Sequence, residues 1–496
     1  MAAALTWLGI TPGNRVALLL NDSPEFIASF IAIASSEAIA VPINMGLRLD
    51  EQQLILNDCG ASVALVESGL CGSLLKDAQE QLRELKEVLV VRRGDEKEFA
   101  LETRGTQSGH EAGPRIRTLS ELFSATEGRP APEFPAASED TPAFILYTSG
   151  STGEPKGAIH SQSHIFYTNE TFCREVLRPR PDDRFFSSSR LPFAYGLGNS
   201  LSFPLLNGLT TILCRAKPTA EVINRIFADH RPTVFFGVPV IYNLLLDHRG
   251  LPLDCSSLRL CISAGEALPA QLGEEWEKTF RVQLLDGIGS TEMLHMFMSN
   301  HKDEVCYGSS GTLLNGYEAR LLDEHDNATP PGAEGNLWVK GASAALGYWQ
   351  QPEATARTFV EGWVRTGDVY RSDDGYWFHL GRSDDCFKSS GQWVSPVEVE
   401  GALLRHERVS RAAVVEDFDK DGLPCACAFV ICKEVESNLN RIEEELREFL
   451  RASLPRFKQP RRYVFVSELP YTATGKIQRF KLREHLKRGP SPMSKI

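Results

Sequence analysis

Short, wholly apolar runs recur along the first 380 positions, separated by longer helical patterns. Val16-Ala-Leu-Leu-Leu20 predicts a buried strand, and Ser23-Pro24-Glu25 then opens a helix with proline in its first turn, where no N–H is needed. Val63–Val66, Val88–Val91, Thr211–Leu213, Val234–Phe236 and Leu258–Ile262 repeat the strand pattern. A strand that is apolar on both sides is covered on both faces, and strands alternating with helices build parallel sheets. The expectation is an α/β fold with a large layered N-terminal domain of mostly parallel sheets. The most apolar stretch, Phe26 to Ile43, is broken by Ser35-Ser36-Glu37 and reads as helix, turn and buried strand, not as a membrane span. Arg93 to Asp140 is polar and rich in Gly, Pro and Glu, which predicts a surface excursion.

The texture changes near residue 380. Beyond Gly381-Arg382-Ser383-Asp384-Asp385 the chain turns to a compact β/α pattern: a helix starting at Val397–Glu400, strands at Ala412–Val415 and Cys425–Ile431, a charged helix from Arg441 to Leu454, and a strand at Tyr463–Val466. This predicts a small α+β C-terminal domain of about 110 residues. The division expected is 1–383 and 384–496, since 496 residues exceed what one hydrophobic core usually organises. No internal repeat is visible.

Composition narrows the function. With 42% hydrophobic and 24% charged residues the chain is ordinary for a globular protein, and its formal charge of −12 argues against nucleic acid as a partner. The eleven cysteines show no metal-binding spacing; Cys425, Cys427 and Cys432 fall on an alternating run and read as half-buried strand residues. Unpaired thiols in this number imply a reducing compartment, hence the cytoplasm. The start carries no basic, apolar and cleavage-site sequence of a signal peptide, and Ser494-Lys495-Ile496 lacks the final leucine of a peroxisomal address.

The most informative segment is Tyr147-Thr148-Ser149-Gly150-Ser151-Thr152-Gly153-Glu154-Pro155-Lys156-Gly157, flanked by apolar runs. Glycines let backbone N–H groups approach an anion, hydroxyls donate hydrogen bonds, and lysine supplies charge. It is not a Walker A loop, because Pro155 and the Gly157-Ala-Ile159 that follows favour a return into extended structure. A phosphate loop joining two strands is expected. The segment resembles the signature of the adenylate-forming superfamily of acyl- and aryl-CoA synthetases, luciferases and peptide-synthetase adenylation domains. Gly289-Ser-Thr291-Glu292, Trp363-Val-Arg365-Thr-Gly367-Asp368, Gly381-Arg382-Ser-Asp384-Asp385 and Thr474-Gly475-Lys476-Ile477 resemble that family's later motifs in order, so the resemblance spans nearly the whole chain.

The resemblance implies a chemistry. A carboxylate does not react with a thiol at neutral pH; attack on the α-phosphate of ATP turns one of its oxygens into part of a good leaving group. Two anions must then meet, which calls for cations. By resemblance Glu292 binds Mg²⁺, with Thr148, Lys156 and Lys476 as its catalytic companions and Lys476 the residue for adenylation. Ser149, Gly150, Ser151, Thr152, Gly153 and Thr291 would surround the phosphates. Asp368 would accept from the ribose hydroxyls, with Arg382 in support. Ser263-Ala264-Gly265-Glu266 and Asp286-Gly287-Ile288 would sandwich the adenine. Asp384 would be the pivot of a mobile C-terminal domain, and Lys388 and Gly391 would meet the pantetheine arm of coenzyme A, the co-substrate.

Within the superfamily, Phe193-Ala194-Tyr195-Gly-Leu-Gly198 and Asp286–His295 look most like benzoate–CoA ligases. A pocket drawing on Ala194, Tyr195, Ile288, Gly289, His295 and Met296 suits a flat ring. Peptide-synthetase adenylation domains usually carry Asp where Ala194 stands, and its absence argues against α-amino acids. The partner implied is a small aromatic carboxylic acid: benzoate, or a substituted benzoate such as 2-aminobenzoate. Loading of a carrier protein, a luciferase-like oxygenase and a regulator without catalysis are the alternatives. A homodimer is left open. The family usually carries several tens of residues ahead of the segment that opens this chain, so a truncated or abbreviated N-terminal part is expected.

Overall fold

The computed structural model of the chain describes all residues except 76–81, 83, 93–113, 131, 135–138, 150–154, 249–252, 390–391, 420–421, 434–438, 472–476 and 488–496. Two seven-stranded sheets dominate it. The first is built from β1 (Arg15–Leu19), β2 (Ile39–Pro42), β3 (Val63–Glu67), β4 (Glu87–Val91), β5 (Arg115–Thr118), β6 (Pro142–Ser149) and β7 (Pro155–Ser161), in the order β5-β4-β3-β1-β2-β6-β7. All its pairs are parallel except β6 with β7. Alternation assigns the two faces: Val16, Leu18, Phe144 and Leu146 enter one core, Ala17, Leu19 and Ile145 the other. Each fully buried Val, Leu, Ile or Phe among them contributes about 1.5–3 kcal/mol. The predicted helix runs Pro24–Ser35, capped by the Ser23 side chain accepting from Phe26 N–H at 3.2 Å.

The second sheet comprises β8 (Arg184–Ser187), β9 (Thr210–Ile212), β10 (Val234–Gly237), β11 (Leu260–Ser263), β12 (Leu284–Gly289), β13 (Met296–Ser299) and β14 (Thr312–Leu313), in the order β14-β13-β12-β11-β10-β8-β9. It is parallel from β9 to β12 and antiparallel beyond. An antiparallel sheet follows, of β15 (Glu318–Leu322), β16 (Glu334–Lys340), β17 (Phe359–Val360), β18 (Trp363–Asp373) and β19 (Tyr376–Arg382).

Two expectations need correction. The stretch from Arg93 to Asp140 is not only a surface excursion: among its described residues, β5 extends the first sheet, and the helix Leu119–Ala125 carries a Thr118/Glu121 capping box. An edge strand of alternating arginines has the polarity of a loop, which is how its composition misled. The predicted strand from Leu258 begins at Leu260, because Arg259 instead turns its guanidinium to Asp183, 2.6 Å away.

After β19 comes the hairpin of β20 (Phe387–Ser389) and β21 (Gln392–Val394). The helix Pro396–Leu404 is capped by Ser395. Then β22 (Val409–Phe418), β23 (Pro424–Cys432) and β24 (Arg462–Phe465) form a three-stranded sheet. Ala412 and Val414 on β22 pack with Ile442, Leu446 and Leu450 of the helix Leu439–Ser453, whose four-residue spacing gives one apolar face. Ala413 and Val415 on the other face pack with Leu482. Cys425 and Cys427 are buried along β23. Among the described residues no helix is long and apolar enough to cross a membrane.

Candidate active site

A cleft of about 2470 Å³ opens beyond the carboxyl ends of β11 and β12, where open α/β sheets bind ligands. Its walls come from both parts of the chain, with Thr148, Lys156, Gly265, Asp286, Glu292 and Asp368 on one side and Arg405, Tyr471 and Arg479 on the other. The expected strand–loop–strand is present: β6 and β7 pair antiparallel down to Ser149 opposite Pro155. Gly150–Gly153 lie outside the described residues, and so do Gly391 and Lys476. Tyr471 and Ile477, which bracket the Lys476 motif, form an isolated antiparallel bridge, and both line the cleft.

Glu292 stands in the return between β12 and β13. Its Oε1 accepts from Tyr348 O–H at 2.7 Å, and Lys156 Nζ sits 5.4 Å from the centre of the same tyrosine ring. Tyr348 is itself tied to β7, facing Ala158 across an isolated antiparallel bridge, with Trp349 N–H donating to Gly157 O. One tyrosine thus links Lys156, on the strand that leaves the glycine-rich loop, to Glu292. Burial first, then Glu292, raises the Tyr348 hydroxyl above its ordinary range, so it stays a donor. Gly289 allows the return to close: a Cβ there would lie 2.5 Å from His295 O.

Asp286 is buried beneath the cleft. Its Oδ2 accepts from Leu268 N–H at 3.4 Å, while Oδ1 has no partner among the described residues. Burial pushes its carboxyl up to about 8. Asp368 is oriented by His379 Nε2 at 3.3 Å and Arg382 Nη1 at 3.2 Å, and Arg382 also donates to Thr366 O at 2.8 Å. Gly265, Glu266, Gly287, Ile288, Gly289 and Thr291 line the same cleft. Ala264 is 3% exposed and packs into the core of the second sheet.

Of the residues expected to form a ring pocket, Ile288 and Gly289 line the cleft, while Tyr195 and His295 pack together at the far end of the same return. His295 is caged by Phe203 at 4.7 Å, Phe172 at 4.8 Å and Tyr195 at 5.6 Å between ring centres. Its Nε2 lies 3.3 Å from Asn199 Oδ1, and its Nδ1 has no partner among the described residues. Burial pushes its pKa down to about 3, so the ring is neutral. Tyr195 O–H donates to Ile262 O at 3.1 Å, bracing the ring over the ends of β10 and β11. Ala194 is its half-buried neighbour, and Met296 is 1% exposed in the core.

Asp384 is exposed in the turn after β19 and lines the cleft. Its neighbour Asp385 pairs with Arg483 at 3.0 Å and Arg479 at 3.6 Å; Arg479 also grips buried Glu400 at 2.9 Å. Three residues after Lys476 in sequence, Arg479 thereby ties the chain to the turn after β19. Lys388 is not in the cleft: it pairs with Glu324 at 2.7 Å, on the turn between β15 and β16.

Tyr348, His379 and the buried pair His160 and His164 were not singled out from the sequence. Each meets the site through a contact that no local pattern announces; Tyr348 and Glu292 are 56 residues apart.

A family model described as AMP-binding enzyme matches residues 1–349, and one described as AMP-binding enzyme C-terminal domain matches residues 398–476. The chain belongs to the AMP-binding, adenylate-forming enzymes. A benzoate–CoA ligase of Thauera aromatica is 40% identical over 97% of this chain and 88% of its own length. The crystal structure of an anthranilate CoA ligase, AuaEII, in complex with anthranoyl-AMP superposes with a TM-score of 0.87 at 35% identity, covering 98% of this chain and 90% of that one. A benzoate CoA ligase from Burkholderia xenovorans LB400 gives 0.84 at 38%, covering 97% and 92%. Within the superfamily the chain is therefore a member of the AMP-forming aryl–CoA ligases, which are acid–thiol ligases.

Proposed function

We propose that this chain converts benzoate, or a benzoate with a small ring substituent such as 2-aminobenzoate, into its aryl-CoA thioester through an aryl-adenylate. The observation that carries the reading is the seven-residue return from Gly289 to His295. Glu292 faces the nucleotide cleft at one end, and neutral His295 sits in an aromatic cage at the other. A metal carboxylate and a ring pocket on one short return bring an aryl carboxylate to the α-phosphate. The relatives named for benzoate and anthranilate support the same class of acid.

The donor set fits the groups required. Glu292 and Thr291 offer hard oxygens of the kind Mg²⁺ takes, and Mg²⁺ when bound would neutralise charge on the phosphates. Asp286 Oδ1, buried without a partner, fits an adenine amino group, and Asp368 fits a pair of ribose hydroxyls. In the first step a carboxylate oxygen bonds to the α-phosphorus and pyrophosphate leaves. Lys156 and the loop Ser149–Gly153 bind phosphate oxygens, and Lys476 meets the charge that builds between carboxylate and phosphorus.

In the second step the thiol sulfur of coenzyme A bonds to the acyl carbon, the thiol proton is lost and AMP departs. Here residues 384–496 turn about Asp384, which withdraws Lys476, frees Lys388 from Glu324 and brings Lys388 and Gly391 to the pantetheine arm. His295 and Ala194 choose among ring substituents, since one or two pocket atoms decide such selection.

A panel of aryl, short-chain and long-chain acids, assayed for AMP release with CoA or with a phosphopantetheinylated carrier protein, tests the reading. Benzoate-class acids with CoA are expected to be turned over fastest. A preference for long-chain acids, or transfer only to the carrier, would contradict it.

A further inference from the structure

The return that carries Thr291 and Glu292 is held in an unfavourable shape. Leu294 takes φ +63°, a left-handed conformation that leucine rarely adopts, and His295 N–H reaches back to Met293 O at 2.8 Å. Thr291 O already accepts from Leu294 N–H at 3.2 Å. A second contact to that oxygen comes from His160, at the end of β7, whose Nε2 lies 2.8 Å away. His160 Nδ1 in turn lies 2.9 Å from His164 Nδ1. The two rings are 0% and 4% exposed, and His160 is stacked on Phe144 with centres 5.3 Å apart.

These contacts fix the protons. A carbonyl oxygen only accepts, so His160 carries its hydrogen on Nε2. A neutral imidazole then has a bare Nδ1, so His164 must carry its own hydrogen on Nδ1 and donate. Burial keeps both rings neutral, pushing their pKa values down to about 3 and about 4.

We propose that His160 and His164 form a tautomer-locked strut, a pair of positioning residues that holds the Thr291–Glu292 return against the strand leading out of the phosphate loop. His160 lies four residues after Lys156 on that strand, so the strut sets the spacing between the loop's lysine and the metal-binding carboxylate. Neither ring touches a reacting atom; both act through the backbone of Thr291. The inference rests on the reading of Glu292 as the metal carboxylate.

The test is Mn²⁺ binding, as a stand-in for Mg²⁺, followed by electron paramagnetic resonance with α,β-methylene-ATP present. Relative to wild type, His160→Leu should bind roughly tenfold more weakly, the effect of losing one buried hydrogen bond. His160→Gln, which keeps a side-chain N–H donor, should recover most of that affinity. His164→Leu should also weaken Mn²⁺ binding, because His160 is then released to place its hydrogen on Nδ1. Wild-type affinity in folded His160→Leu would overturn the strut. If that variant does not fold, long-range ¹⁵N–¹H correlations on the wild-type protein decide: hydrogens on His160 Nε2 and His164 Nδ1 support the strut, and any other pair overturns it. A wild-type protein that binds no Mn²⁺ with the nucleotide would instead overturn the reading of Glu292, and the strut with it.

Discussion

Asp286→Asn should make the protein more stable at alkaline pH and remove a pH dependence that the wild-type chain carries. The carboxyl is 4% exposed, has one oxygen without a partner among the described residues, and is pushed by burial from an ordinary value of 3.8 to about 8. Between those values the folded chain holds a proton that the unfolded chain has lost. Stability is therefore full below about pH 4 and falls as pH rises toward 8, by up to about 1.4 kcal/mol per unit. The whole shift corresponds to roughly 6 kcal/mol of preference for the neutral acid. Asparagine is neutral throughout and keeps an oxygen for Leu268 N–H. Urea-unfolding midpoints of the nucleotide-free proteins at pH 6, 7, 8 and 9 read the effect. The advantage of the variant should widen by a few kcal/mol up to pH 8 and then level off. ATP should narrow the gap, because an adenine amino group donating to Oδ1 favours the charged form. Parallel midpoint curves for the two proteins across this range would refute the reasoning.

Three further substitutions probe the site. Tyr348→Phe keeps the ring under Lys156 but removes the hydroxyl on Glu292; a hydrogen bond to a carboxylate is worth about 1.5–3 kcal/mol, so half-saturating Mg²⁺ for AMP release should rise at least about tenfold, and an unchanged value would remove Tyr348 from the metal site. Gly198→Ala puts a Cβ 2.7 Å from His295 Nε2, in a cage with no room to yield; overpacking of about 1–3 kcal/mol should fall on ring-substituted acids more than on benzoate, and an unchanged ranking of acids would show that His295 does not border the ring pocket. Lys476→Ala should slow adenylation by about 10²–10³ while sparing thioester formation from prepared aryl-AMP; equal losses in both half-reactions would remove the case for domain alternation.

Much of the architecture was legible in the chain. Runs such as Val16–Leu20 and Val63–Val66 are apolar at every position because both faces of a parallel sheet are covered, and Pro155 with Gly157 marked the return of the phosphate loop into β7. The residue order of Gly289–Glu292 led to the return at the end of β12, whose tightness explains the glycine. Strand order was not legible, because the neighbours β2 and β6 are about a hundred residues apart and chain pattern carries no record of crossover. Edge strand β5 was missed because an edge must be polar. Tyr348, His379 and His160 escaped for a related reason: a tyrosine or histidine that orients a carboxylate or a backbone carbonyl has no required spacing to its partner. Lys388 shows a further limit, since its partner Glu324 lies 64 residues earlier and no local pattern announces the pairing.

The central claim is that a carboxylate oxygen of an aromatic acid bonds to the α-phosphorus of ATP before CoA takes the acyl group. Benzoate labelled with ¹⁸O at both carboxylate oxygens, incubated with the protein, ATP, Mg²⁺ and CoA, tests it most directly. The account predicts benzoyl-CoA retaining one labelled oxygen and AMP carrying the other on its phosphate, with unlabelled pyrophosphate. Label in inorganic phosphate with ADP as the co-product would contradict it.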